Sequence, residues 1–452
     1  MIDDIVSSVG GVSGGMYSLI DKWEMWWRGR DPSFHRFTEN SCVGSPVRRE
    51  LYRMNMAKKI CEDWASLLIN DRCSIHVADE NGEDFVGKIL RGGDFLCLSN
   101  RLTEKAFALG TAAVILRLHG FVSDGEKLRA SDGSFITFEA VDAGHIIPIS
   151  VEGGRITEAA FVSECVRRGV RCCYVETHRK EDGKYVIRNE FYPAADGEEA
   201  SLVAENADAS CEIRTGSPYP FFAILSPNIQ NNYCDDCGMG VSVFADAIDC
   251  LKGVDLAFNN FCRDIKLGGK KVFVSSSLVK RDDFGNIITP DDVAQQLFVT
   301  VGDGDFDEHP MITEHNPELR TDEDAQAVRW QLSYLAFRCG LGSHHYTFDV
   351  DGRAKLTATQ YMGERQDMRQ NLVKHQHAAR AYITAVVRAL LWCAAEYYGI
   401  DADVGAEVSV MFDDSYFGDS DTRRESDLRE VEAGVMSAEE YRAKWSGGII
   451  NE

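Results

Sequence analysis

Residues 241–267 read VSVFADAIDCLKGVDLAFNNFCRDIKL, and the fold turns on how this stretch is interpreted. Phe244, Ile248, Leu251, Phe258, Phe261 and Ile265 recur at spacings of four, three, seven, three and four. That is the repeat of a helix packed against other helices. Asp255 stands at the stripe position where an apolar residue is missing. At 1.5 Å per residue, about 27 residues predict a rod of roughly 40 Å, which Gly268 and Gly269 would end sharply. A second helix is predicted over Asp322–Arg338, with Val328, Leu332, Leu335 and Phe337 apolar. Between the two lie a strand-like run, KKVFVSSSLVKRDDFGNIITP (270–290), and an acidic loop. A helix, an insertion and a returning helix predict a stalk carrying a small domain at its tip.

Working outward, a long last helix is predicted over Thr357–Tyr398, after a glycine-punctuated loop. On the N-terminal side, residues 1–16 are Gly- and Ser-rich and are expected to be flexible. Helices are predicted at Tyr17–Arg28, which carries Trp23, Trp26 and Trp27, and at Arg48–Asn70. Residues Cys73–His178 alternate short strands with one apolar helix, Leu102–Arg117. The run GKYVIRNEFYP (183–193) reads as part of a hairpin, and the proline-rich 215–233 as extended loop. The fold class predicted is α+β.

Hydrophobic residues make up 44% of the 452 positions, enough to exclude a disordered chain. The net charge of −24 argues against an outer surface that wraps nucleic acid. That charge is uneven. Asp291–Asp324 holds eleven acids and one base, and Asp401–Glu452 fourteen acids and five bases, so the rest is only mildly acidic. The fourteen cysteines sit within apolar runs, and the N-terminus lacks the apolar core of a secretory signal. Reduced, buried cysteines are therefore expected. The most apolar segment, AYITAVVRALLWCAAEYYG (381–399), is interrupted by Arg388, and no membrane span is predicted.

Motifs for chemistry are weak. LGGKK (267–271) lacks the first glycine and the Ser/Thr of a phosphate-binding loop. Gly11-Val12-Ser13-Gly14-Gly15 matches the serine-hydrolase pattern, without the preceding strand that chemistry needs. Cys234 and Cys237 form a lone C-x-x-C with no second pair for zinc. Asp303, Asp305, Asp307 and Glu314 match four positions of a calcium loop, but Glu308 replaces its turn glycine. His344-His345 and His375/His377 read as surface or interface histidines. No catalytic residue, metal or cofactor is expected. Arg263, Lys266, Lys270 and Lys271 cluster where the first rod ends. In a monomer they form a solvated face; repeated around a ring, they would line a bore with positive charge suited to sequence-independent phosphate contact.

The order of several segments resembles the portal (head–tail connector) proteins of tailed phages, of the siphophage type found in Gram-positive hosts. DKWEMWWRG (21–29) and MNMAKKICEDWASLLIND (54–71) open the likeness. ALGTAAVILRLHG (108–120), HIIPISVEGGRITEAAFVSE (145–164) and GMGVSVFADAIDCLKGVDLAFNNFCRDIKLGGKKVFV (238–274) follow. LTATQYMGERQDMRQNLVKH (356–375) and the acidic segment 412–445 close it, so the likeness covers nearly the whole chain. The resemblance implies a wing over 17–240, stem helices at 241–267 and 322–340, and a clip at 268–321 between them. It implies a tunnel loop at 341–356, a long wing helix at 357–400 and a helical crown over 401–452.

It further implies a homo-oligomeric ring, usually of twelve subunits, in the virion at one capsid vertex, made in the host bacterial cytoplasm. The ring would conduct double-stranded DNA during packaging and ejection, with no membrane partner. Arg353 and Lys355 would join the basic residues above in facing the channel, beside His344, His345, Tyr346, Asp349 and Asp351 of the tunnel loop. Asp291, Asp292, Asp303, Asp305, Asp307 and Glu308 would form a clip face docking the terminase large subunit and the head-completion adaptor. Major capsid and scaffolding proteins would be further partners. Two alternatives stay open: another ring-forming head or tail connector, and a metal-dependent hydrolase using Asp303, Asp305 and Glu314.

Overall fold

The structure, a computed structural model, describes residues 2–12, 15–40, 46–124, 127–167, 170–193, 212–269, 271–275, 297–300, 312–346 and 366–413, with 428–429, 431 and 441. Helices and sheets together make it α+β, as predicted. The chain opens with α1 (Ile2–Ser8), α2 (Met16–Trp27) and the one-turn α3 (Pro32–His35). The start, expected to be flexible, is anchored instead. Ile5, Val6 and Val9 are buried, and the Val12 N–H donates to the Pro148 carbonyl at 2.8 Å. Apolar residues at 5, 6 and 9 share one helical face, a short signal that the neighbouring glycines mask.

The helix predicted over Arg48–Asn70 begins too early. β1 (Arg36–Asn40) and β2 (Pro46–Glu50) form an antiparallel hairpin, and α4 (Met56–Leu68) starts after Asn55, whose φ is 54°. Arg48, Arg49 and Glu50 suit a helix by propensity, but pairing with Thr38, Phe37 and Arg36 overrides it. After β3 (Ser74–Val77) comes α5 (Glu80–Gly92), an element missing from the predicted set. Its start is capped by Asp79, whose carboxylate accepts from the Gly82 N–H at 2.7 Å. The apolar helix predicted over Leu102–Arg117 lies at α6 (Phe95–Leu109). Gly110, at φ 86°, ends it, and residues 112–117 belong to β4 (Ala112–Asp124). A buried apolar run reads alike as helix or strand.

The body is built on two sheets. β4 pairs with β5 (Lys127–Asp142), and β6 (Ile146–Glu152), β7 (Arg155–Arg167), β8 (Val170–Glu181) and β9 (Lys184–Pro193) run as an antiparallel meander. Gly153-Gly154 and Asp182-Gly183 join β6 to β7 and β8 to β9, all four residues at positive φ. These are two-residue turns whose twist matches that of the flanking strands. β10 (Glu212–Arg214) completes the five-stranded sheet, and β11 (Phe222–Leu225) adds to β4 in the three-stranded one. The sheets pack face to face over Ala113, Ile115, Ile146, Ala159, Phe161, Tyr185 and Phe222. Alternation along β4 sends Ala112, Val114 and Leu116 the other way, into the helical core.

A 3-10 turn at Ala245–Ala247 leads into α7 (Ile248–Leu267), followed by β12 (Lys271–Ser275), β13 (Leu297–Thr300), β14 (Ile312–His315) and α8 (Thr321–Arg338). α7 starts seven residues later than predicted and spans about 30 Å. Val241, Val243 and Phe244 are buried in the non-helical approach, where the Val243 N–H donates to the Phe107 carbonyl at 2.9 Å. α9 (Gln366–Glu396) is the core helix, with Tyr382, Ile383, Val386, Val387, Leu390 and Leu391 at most 1% exposed. By length and composition it would suit a membrane span, yet 61% of its apolar window is buried by protein. β15 (Val408–Met411) then pairs with β3, which ties the segment after 400 to the body. The strand β11 likewise replaces part of the loop expected at 215–233.

Candidate functional site

α7 and α8 form an antiparallel hairpin. Near its base the Arg338 guanidinium donates to the Asp246 carbonyl at 3.0 Å; midway, Gly253 lets Gln331 pass closely; at the far end Arg320 pairs with Asp264 at 3.0 Å. The three-stranded sheet β13-β12-β14 lies in sequence between the two helices. β12 pairs with β13 in parallel and with β14 antiparallel, so the insertion has its own small sheet at the far end of the hairpin.

The middle of α7 is locked into the body by a buried polar pin. His35, 1% exposed, holds the Asp31 carbonyl with Nδ1 and the Asp255 carboxylate with Nε2, both at 3.0 Å. The other Asp255 oxygen accepts from the Met54 N–H at 2.9 Å. Asn259, one turn on, accepts from the Tyr52 N–H at 3.2 Å. The aspartate at the missing stripe position therefore ties α7 to α3 and to the segment entering α4. A buried carboxylate is tolerated because its oxygens are satisfied.

Beyond the pin the apolar stripe runs out of cover. Leu251 and Val254 are buried, but Ile265 and Leu267 are about half exposed. On α8, Leu332, Leu335 and Ala336 face inward, whereas Trp330, Tyr334 and Phe337 are 57%, 57% and 63% exposed. These three stand at i, i+4 and i+7, one face of the helix, and Trp330 stacks on Tyr334 at 6.5 Å. Fully burying a large apolar side chain contributes about 1.5–3 kcal/mol, and the chain realises less than half of that at each of these three positions. The i, i+4, i+7 spacing was legible in the sequence; which face the chain itself would cover was not.

Of the residues singled out for the channel, Arg263 and Lys266 are exposed on the last turns of α7, with Arg263 4.0 Å from Glu39. Lys271 opens β12. Lys270, Arg353, Lys355, Asp349, Asp351, Asp291, Asp292, Asp303, Asp305, Asp307 and Glu308 lie outside the described residues. The start of the predicted tunnel loop is held against the body. Leu341 is buried, and Tyr346 and His345 reach the Asp63 carboxylate of α4 at 2.7 and 3.4 Å. Burial pulls the Asp63 pKa up, but hydrogen bonds from His345, Lys59 and Tyr346 outweigh it and hold the group below its usual range.

His375 is not a surface residue. It sits 3% exposed between Trp64 and Phe107, and its Nδ1 accepts from the Asn228 N–H at 3.1 Å. Burial, helped by the Lys374 charge, lowers its pKa to about 3, so the ring is neutral. His178, between the sheets, is pushed to about 3 by burial and by Arg117. Its Nε2–H donates to Glu176 at 2.8 Å, and Arg117 bridges Glu176 to Glu139. Fully buried, His178 is a tie between sheets and offers no path to a substrate. The serine-hydrolase pattern is entered from α1, a helix where that chemistry needs a strand. Among the described residues no group of His, Cys, Asp and Glu is arranged to hold a metal ion. Compared with known proteins, the chain matches no family model and no curated protein.

Proposed function

We propose that the chain is a tailed-phage portal protein, a non-enzymatic subunit of a homo-oligomeric ring that conducts double-stranded DNA at the capsid vertex. One observation carries this reading: an antiparallel helical hairpin, rooted in an α/β body by a buried pin, that holds a small sheet between its helices in sequence and leaves an aromatic stripe uncovered. Three aromatics on one helical face call for a protein neighbour. Contact between different patches of identical subunits closes into rings when the rotation allows. In such a ring α7 and α8 serve as stem, the β12–β14 segment as clip, and the sheet body as wing. Arg263 and Lys266 supply dispersed positive charge, and weak contacts of this kind let a duplex slide. The terminase large subunit, the head-completion adaptor, and the capsid and scaffolding proteins are the partners this role requires, in the virion.

The test is negative-stain microscopy of the purified chain. End views showing a ring of about twelve subunits around a central channel are expected. A compact closed dimer without a channel would sink the reading.

A further inference from the structure

We propose that one face of the β1–β2 hairpin, with the cleft beneath it, is a binding surface for the phosphodiester backbone of duplex DNA. This rests on the conduit reading for the identity of the polyanion, and on the following geometry for the site. Residues 28–53 carry six arginines, no lysine and three acids, in a chain of net charge −24. The register places Arg36 opposite Glu50 and Arg48 opposite Thr38. Positions 36, 38, 48 and 50 therefore share one face, and 37, 39, 47 and 49 the other. On the second face Arg49 pairs with Glu39 at 2.6 Å, and Glu39 also approaches Arg263 of α7.

The first face continues into a cleft of about 430 Å³ lined by Arg30, Arg53, Arg36, Glu50, Asp31 and His35. Its two carboxylates are already engaged. Asp31 accepts from the Ser33 N–H at 2.9 Å and from the Ser33 hydroxyl at 2.5 Å, and Glu50 takes Arg36 at 2.8 Å. Arg30, Arg48 and Arg53 have no carboxylate partner among the described residues. The floor is fixed, because His35 is clamped between Asp31 and Asp255. The cleft thus offers unpaired guanidiniums on a prearranged wall. Arginine forks match phosphate oxygens with two parallel hydrogen bonds, which lysine cannot do. Three such forks, Arg48 on the hairpin and Arg30 and Arg53 in the cleft beside it, suit an anion carrying several separate charges. Contacts to phosphate oxygens carry no sequence information, so binding through these forks would be sequence-independent.

The experiment is fluorescence anisotropy of a labelled blunt DNA duplex with the full chain, over a salt series. It compares wild type, the triple variant Arg30→Ala/Arg48→Ala/Arg53→Ala, and Arg155→Ala as a control at the β6–β7 turn. Circular dichroism checks folding, and substitution at these three positions outside the core is expected to leave the spectrum unchanged. The triple variant should bind at least tenfold more weakly at low salt. The slope of log K against log salt should fall by roughly 0.9 for each phosphate that is no longer neutralised. The control should match wild type, and millimolar inorganic phosphate should not displace the duplex.

Equal affinity and slope in wild type and triple variant would overturn the inference. Full displacement by inorganic phosphate would also overturn it, since the ligand would then be a single free anion. Intact duplex binding with loss of self-association would overturn it too, by giving the face to a neighbouring copy. The oligomeric mass, read separately, distinguishes the two proposals: arginine-dependent binding without a ring leaves this site standing and removes the conduit.

Discussion

α8 and α9 are both helices with aromatic side chains, and they meet opposite fates. On α9, Tyr382 is 1% exposed and its hydroxyl hydrogen-bonds Ser99 at 3.1 Å, so the ring and its polar tip are both satisfied within the chain. On α8, Trp330, Tyr334 and Phe337 lie mostly in water. The body surrounds α9 with the three-stranded sheet, α4 and α5, whereas α8 has α7 on one side and none of the described residues over its aromatic face. A chain that spends aromatics on an uncovered face is built to be covered by something else. α9 holds the body together from within, and in the proposed ring α8 would carry the surface that meets a neighbouring subunit.

Changes on the anchored side should cost the most. Tyr382→Ala removes a fully buried ring and should lose about 3–5 kcal/mol of unfolding free energy, read by chemical denaturation. A loss below about 1 kcal/mol would break the contrast by showing α9 to be loosely packed. Asp255→Ala leaves the buried His35 ring and the Met54 N–H without their acceptor, and should cost about 3 kcal/mol. Its second signature is local: amide exchange should accelerate at α3 and over the first turns of α7.

His375 gives α9 a pH signature. Burial sets its folded pKa near 3, against about 6.5 when unfolded. As pH falls below about 6.5 the unfolded chain takes the proton first. Stability from this group is therefore intact at neutral pH and is lost toward pH 3, by at most ~1.4 kcal/mol per pH unit. His375→Gln should flatten denaturation stability between pH 6.5 and 4 by up to that slope; an unchanged slope would remove His375 as its source. Smallest of all, Trp330→Ala should alter the stability of the unassembled chain by no more than about 0.5 kcal/mol. A larger loss would mean that α8 is covered within the monomer after all.

Much of this division could be read from the residues. The short strands of 73–178 and the hairpin strand 183–193 were legible because the turns between them depend on local backbone chemistry. α8 was placed within one residue by its periodicity. The misplacements arose where distant partners decide. Arg48–Glu50 becomes a strand only because β1 lies beside it, and residues 112–117 become a strand because β5 and β11 flank them. Val241–Phe244 look like helix because they are largely apolar, but they are buried in a non-helical approach that turns into α7. The Asp255 gap in the α7 stripe was visible. Its meaning was not, because His35 lies 220 positions away. The arginine face was equally hidden: Arg36 and Arg48 come together only through the hairpin register. Asp291, Asp292, Asp303, Asp305, Asp307 and Glu308, expected to dock partners, lie outside the described residues.

The most direct measurement is the mass distribution of the purified chain by native mass spectrometry or mass photometry, wild type beside Trp330→Asp/Tyr334→Asp. Wild type should form a closed assembly of about twelve subunits. The double variant should stay folded, because both positions are exposed, and should remain monomeric. A wild type that stays monomeric at tens of micromolar, or a double variant that assembles as readily as wild type, would contradict the assignment of the α8 stripe as the joining surface.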